Sequence, residues 1–154
     1  MSPSKQPPEL DGIVHDHRDV LELSRNIRWG IGQDIAPARI QRYCRAFYRW
    51  HLRPHFHVEE TVLFPILGLG DPLVRKAMAG HRRLQRLIQG HDDPEVALSL
   101  VEEELEAQVR LEERELFVRI LDAATPDQLA EVARAHTALH ERQPPMAGKD
   151  VFWM

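Results

Sequence analysis

Cysteine is almost absent: Cys44 is the only one in 154 residues. No internal disulfide can form, so a disulfide scaffold is excluded and a reducing cytoplasm is the expected setting. No apolar run approaches the ~18 residues of a membrane span, and the opening MSPSKQPPELDG has no apolar signal core. Basic residues are not concentrated anywhere. With a net charge of −4 and Lys/Arg scattered among carboxylates, the chain has no face for a nucleic-acid backbone. No stretch of four or more residues alternates convincingly at period two, so there is no strand signal. A Gly-rich phosphate loop and a recognisable Ser/His/Asp arrangement are also missing, which removes the commonest organic-substrate chemistries.

What is present is helical periodicity. With 43% hydrophobic and 29% charged residues, the composition is that of an ordinary globular domain of one core. Residues 1–10, rich in Pro, Ser and Lys, are expected to be flexible. Asp11 is a plausible N-cap for a first helix ending near Gly30 and Gly32. A second helix is predicted over about 38–67, bent at Pro54. A third covers about 72–89 and a fourth about 95–124. Thr125-Pro126 caps and opens a fifth, to about Arg142. The tail, 143–154, carries Val151, Phe152, Trp153 and Met154, which could dock on the domain or on a partner. Long 3.6-period segments joined by short Gly/Pro links predict an all-α, up-down antiparallel four-helix bundle over 11–124, with an additional C-terminal helix over 125–142.

Nine histidines are present, and one element occurs twice. His55 to Leu67 reads HFHVEETVLFPIL, and Gln108 to Leu121 reads QVRLEERELFVRIL. Both contain E-E-x-x-L-F, from Glu59 and from Glu112. His55 stands four residues before Glu59; Gln108 takes that place before Glu112. An isolated H-x-x-x-E is weak evidence, and His91/Glu95 has the same spacing across Asp92-Asp93-Pro94, where proline breaks the turn.

The surroundings of the repeat carry more. On the second helix Cys44, Phe47, His51, His55, Glu59, Val62 or Leu63 and Ile66 form the inward stripe. His57 and Glu60 fall off it and are expected to be solvated. On the first helix the apolar stripe includes His17, while the alternative, His15, lies with Asp19 and Glu22. His81 sits among Val74, Ala77, Leu84 and Ile88, and Gln108 and Glu112 lie on the stripe of the fourth helix. Burying any of these groups alone would cost several kcal/mol, roughly 1–3 even for a neutral polar group. A shared metal removes the cost. His51 lies a turn, ~6 Å, from His55, outside the reach of ions ~3.5–4 Å apart. His136 and His140 read as packing at the end of the fifth helix.

These residues resemble a bacterial hemerythrin-like (HHE cation-binding) domain. The carriers are H-x-x-x-E-E-x-x-L-F-P at 55–65, H-R-x-V at 17–20 and E-E-R-E-L-F at 112–117. The resemblance implies a bundle around two non-haem iron ions, with Glu59 and Glu112 bridging and His17, His55 and His81 as terminal ligands. Gln108 replaces a further family histidine, and a neutral amide oxygen is a weaker donor than imidazole, so one metal or none is the alternative. An additional histidine often found in the family, one turn from the third-helix ligand, is replaced by Ala77 or Gln85. The implied function is binding or sensing of oxygen, nitric oxide or iron. The competing readings are a degenerate bundle acting through protein contacts and an enzyme that processes oxygen, peroxide or nitric oxide at open iron positions. No nucleic-acid or membrane partner is expected, and a homo-oligomer is left open.

Overall fold

The computed structural model describes residues 6–142 and 150–154. Within them are five helices and no strand: α1 (Asp11–Gly32), α2 (37–66), α3 (Pro72–Gln89), α4 (94–123) and α5 (Pro126–Arg142). Each of α2 to α5 has proline at its first helical position, where the missing N–H costs nothing. Side chains close the open ends. Asp71 accepts from the Leu73 amide at 2.8 Å and Asp93 from that of Val96 at 3.1 Å. At α5, Thr125 Oγ1 accepts from the Gln128 amide at 3.1 Å and Gln128 Oε1 from the Thr125 amide at 2.9 Å, a reciprocal cap. Asp11 is the first residue of α1 rather than its cap, because a short 3-10 turn, Pro8–Leu10, leads directly into the helix. That turn buries Leu10 completely, so part of the stretch expected to be flexible is anchored; residues 1–5 lie outside the described residues. Gly68, with φ +94°, supplies the left-handed residue after α2.

Two apolar clusters fill the bundle and fix its topology. One contains Val20, Leu52, Phe56, Leu84, Leu105 and Val109; the other contains Ile13, Leu63, Ala77, Leu116 and Ile120. Moving along α1 the chain passes from the second cluster to the first, along α2 from first to second, and α3 and α4 repeat the alternation. This is the order of an up-down antiparallel bundle. The polar inward residues fall between the clusters on all four helices. Each buried apolar side chain contributes about 1.5–3 kcal/mol relative to exposure, so apolar packing at both ends holds the polar layer in place. Val132 of α5 closes the second cluster, and Phe152 inserts into the first. The tail therefore docks on its own domain: Phe152 is 1% exposed and Arg39 grips Asp150 through two hydrogen bonds of 2.6 and 2.8 Å. The stretch 143–149 lies outside the described residues.

The predicted bend at Pro54 takes the form of widened, five-residue turns in a helix that stays continuous. Such turns occur at Tyr48–Leu52 and Glu59–Leu63 in α2 and at Glu112–Leu116 in α4. Each holds one extra residue and rotates the next side chains around the helix axis. The first turns Leu52 inward and leaves His51 only partly buried.

Candidate metal centre

Both copies of the repeat begin a widened turn at their first glutamate. Glu59 and Glu112 point into the layer between the apolar clusters and are 0% and 1% exposed. Around them stand His17 from α1, His55 from α2 and His81 from α3, all buried. His55 Nε2 is 3.2 Å from Glu59 Oε1, and His17 Nε2 is 3.2 Å from Glu112 Oε1 and 3.6 Å from Glu59 Oε2. His81 Nε2 is 3.3 Å from Glu59 Oε1 and 3.1 Å from Glu112 Oε2. Donor atoms of His17, His55, Glu59 and Glu112 all lie within 4.8 Å of one another. The structure thus brings together these five of the six residues singled out from the sequence.

Each imidazole is held from behind by a carboxylate. His17 Nδ1 pairs with Glu113 at 2.6 Å, His81 Nδ1 with Glu60 at 2.6 Å, and His55 Nδ1 with Asp16 at 2.9 Å. With Nδ1 donating outward, Nε2 is the atom presented to the interior. This is the arrangement that orients metal-ligating histidines and raises their basicity. Glu60 is therefore not simply a solvated residue, since the widened turn brings it against His81. Asp16, Glu60 and Glu113 were not reached from the apolar stripes. A signal existed for two of them, because the glutamate doublet is present in both copies of the repeat.

Gln108, the sixth residue, is buried, and its Nε2 donates to Ala77 O at 3.0 Å and to Glu112 Oε2 at 2.7 Å. Two acceptors face this end of the amide, so its nitrogen, not its oxygen, meets the carboxylate. The oxygen lies over Gly80, where a Cβ would collide with it. Of the other candidates, Gln85 is exposed and Ala77 contributes its carbonyl. His15, His57 and His91 are exposed.

Burial disfavours charge on all three imidazoles, yet the carboxylates outweigh it. Glu112, Glu113 and Glu59 hold His17 well above the ordinary histidine value. His81 is raised in the same way by Glu112, Glu59 and Glu60. His55, beside Glu59 and Asp16, is pushed up to about 9. Burial likewise opposes ionisation of Glu59, but His55, Glu112 and His17 draw it well below the usual carboxylate range. The cluster is built to gather positive charge around two carboxylates.

Hydrogen bonds do not use up its capacity. Among the described residues, the buried side-chain atoms with no hydrogen-bond partner are His55 Nε2, both oxygens of Glu59 and Glu112 Oε1. All four belong to this one cluster, although the ring nitrogens and oxygens are close to each other. Buried polar atoms are normally satisfied, and each orphan costs roughly 1–3 kcal/mol, more when charged. One imidazole nitrogen and three carboxylate oxygens converging without hydrogen-bond partners are a donor set fitted to a divalent transition-metal cation.

The hemerythrin HHE cation-binding domain family matches residues 9–120. The chain belongs to this family. No curated protein and no solved structure matches it. All five converging His and Glu residues fall inside the HHE match, as do the carboxylates behind them. Helix α5 falls outside it. Among the described residues no helix is long and apolar enough to cross a membrane.

Beside the cluster is a cavity of about 10 Å³ lined by Val20, Leu52, Leu84, Leu105, Gln108 and Val109 with the inner faces of His17, His55 and Glu112. That is room for about one water-sized molecule.

Proposed function

We propose that this HHE-domain protein holds non-haem iron, as a pair of ions, in the layer between its two apolar clusters, and binds or senses oxygen or nitric oxide there. The observation that carries the reading is the set of four unpartnered buried atoms on His55, Glu59 and Glu112. In a bundle without metal, only charge attraction to neighbouring side chains at 3.2–3.6 Å would offset that cost. Glu59 and Glu112 would hold the ions as shared carboxylates, and His17, His55 and His81 would complete the donor set as imidazole ligands. Gln108 is assigned as the anchor of Glu112, because its amide nitrogen donates to Oε2 at 2.7 Å and so orients the carboxylate.

The Nδ1 contacts to Glu113, Asp16 and Glu60 hold each ring with Nε2 inward and keep the donor geometry assembled before metal arrives. Phe56, stacked 3.7 Å from the His81 ring, and Phe117, stacked on His17, shield the layer from bulk water. Iron held by these few protein donors would supply open coordination positions for a small ligand. The adjoining cavity has room for about one water-sized molecule and is too small for an organic substrate. This favours a binding or sensing role over an enzyme acting on a larger compound. The single cysteine, Cys44, allows no internal disulfide, which fits a reducing, cytoplasmic setting.

The test is to load the full-length protein with ferrous iron under anaerobic conditions, then expose it separately to oxygen and nitric oxide. Retained iron with new near-ultraviolet and visible ligand-to-metal bands on gas addition is expected. Retained iron with a spectrum indifferent to both gases would leave a metal site and remove the proposed ligand.

A further inference from the structure

A second cluster lies outside the five converging residues. His136 and His140 stand one turn apart on α5 and both face Asp16 of α1. His136 Nε2 is 2.7 Å from Asp16 Oδ2, His140 Nε2 is 3.2 Å from Asp16 Oδ1, and the two Nε2 atoms are 3.2 Å apart. Histidines expected only to pack thus aim both ring nitrogens at one carboxylate. His136 is buried, whereas the His140 side chain is 45% exposed, leaving the group open on one side to solvent.

The spacing is that of a coordination polyhedron. Zinc bound at ~2.0–2.1 Å by nitrogen and oxygen in tetrahedral geometry holds its donors ~3.3 Å apart. The two Nε2 atoms, 3.2 Å apart, have this spacing, and one donor atom from each of the three residues lies within 4.8 Å of the others. Two unprotonated Nε2 atoms 3.2 Å apart would repel each other, so without a cation one ring must donate to the other or to Asp16. Close approach of the helices is permitted by Gly12: a Cβ there would overlap the His136 ring. Two imidazoles and one carboxylate are a donor set for zinc or a similar divalent transition metal.

We propose that Asp16, His136 and His140 form a separate, solvent-open site for a single divalent cation of zinc type. Both histidines lie on α5, beyond residues 9–120, so two of the three donors fall outside the matched domain and only Asp16 falls inside it. It is linked to the bundle interior through one atom, because Asp16 Oδ2 also pairs with His55 Nδ1 at 2.9 Å. An ion on Asp16 would share the carboxylate that orients His55.

Zinc ions are titrated into metal-free, full-length protein against a chromophoric chelator, for wild type, His140→Ala and Glu59→Gln. Because His140 is half-exposed, its removal leaves the packing intact, and matching thermal melts verify this. The expected result is one fewer zinc site in His140→Ala than in wild type, or a loss there of roughly a hundredfold or more in affinity. Even an indirect partner of a metal costs ~10–100-fold when removed. Glu59→Gln keeps the α5 site, which separates it from zinc entering the bundle interior. Equal stoichiometry and affinity in wild type and His140→Ala would overturn the proposal. So would the disappearance of all zinc binding in Glu59→Gln, and so would no zinc binding by wild type. The last two outcomes leave the iron proposal for the bundle to its own test.

Discussion

Gly80→Ala is expected to destabilise the metal-free protein in one background and stabilise it in another. Alanine in a helix interior ordinarily gains about 0.8–1 kcal/mol over glycine. At position 80 the new Cβ would collide with Gln108 Oε1. That oxygen is the far end of a flexible side chain and would swing aside cheaply if nothing held it. It is held: the amide nitrogen bonds Glu112 Oε2 at 2.7 Å and Ala77 O at 3.0 Å. Displacing it breaks one charge-assisted and one neutral hydrogen bond, together about 2–4.5 kcal/mol. Subtracting the helix gain, Gly80→Ala should cost about 1–3.5 kcal/mol in wild type, a fall in Tm of roughly 2–14 °C for a chain of this size. In a Gln108→Ala background the obstacle is gone, and the same substitution should stabilise by up to about 1 kcal/mol. Urea denaturation of the four proteins of this double-mutant cycle reads the coupling directly. A neutral or stabilising Gly80→Ala in wild type would refute the view that Gln108 is pinned to Glu112.

Further expectations concern the carboxylates, the protons and the replaced histidine. Glu60→Gln and Glu113→Gln should each weaken iron binding ~10–100-fold by releasing His81 or His17, as measured by chelator competition; unchanged affinity would remove their orienting role. In the metal-free protein, the raised pKa of His55 means its stabilisation is complete below the ordinary 6.5 and lost as pH rises towards about 9. The depressed Glu59 contributes above its ordinary 4.5, and that contribution is lost as pH falls. Metal-free stability should therefore peak between these values and decline on the alkaline side, whereas iron binding, which must displace protons, should strengthen there. Denaturation midpoints across pH that rise from 6.5 to 9 without metal would contradict this. Gln108→His should tighten iron retention in chelator competition by adding an imidazole one turn before Glu112; an unchanged affinity would place residue 108 out of reach of the ions.

The fold and the inward faces were legible because they depend on local chemistry. The 3.6-residue stripes identified Glu59, Glu112, His17, His55 and His81, and proline at the head of four helices marked where each begins. What the stripes could not supply is the effect of an inserted residue. Widened turns at Glu59 and Glu112 bring the second glutamate of each doublet against a histidine, so Glu60 and Glu113 looked solvated on an ideal helix or passed unnoticed. Asp16 depends on a long-range contact: its partners include His55, 39 residues away, and His136, 120 residues away. No local pattern predicts such a meeting. The same holds for Phe152, whose burial against the first cluster decides between docking at home and docking on a partner. Gln108 is buried, as its place on the apolar stripe indicates. Which end of its amide meets Glu112 depends on the carbonyl of Ala77 across the interface.

The most direct test of the central claim is the metal content of the full-length protein after anaerobic loading with ferrous iron and removal of unbound ions. About two irons per chain are predicted, the paired arrangement that carboxylates and histidines on facing helices support, together with their loss in Glu59→Gln/Glu112→Gln. A correctly folded wild-type protein that retains no iron, or the same iron content in wild type and the double variant, would contradict it.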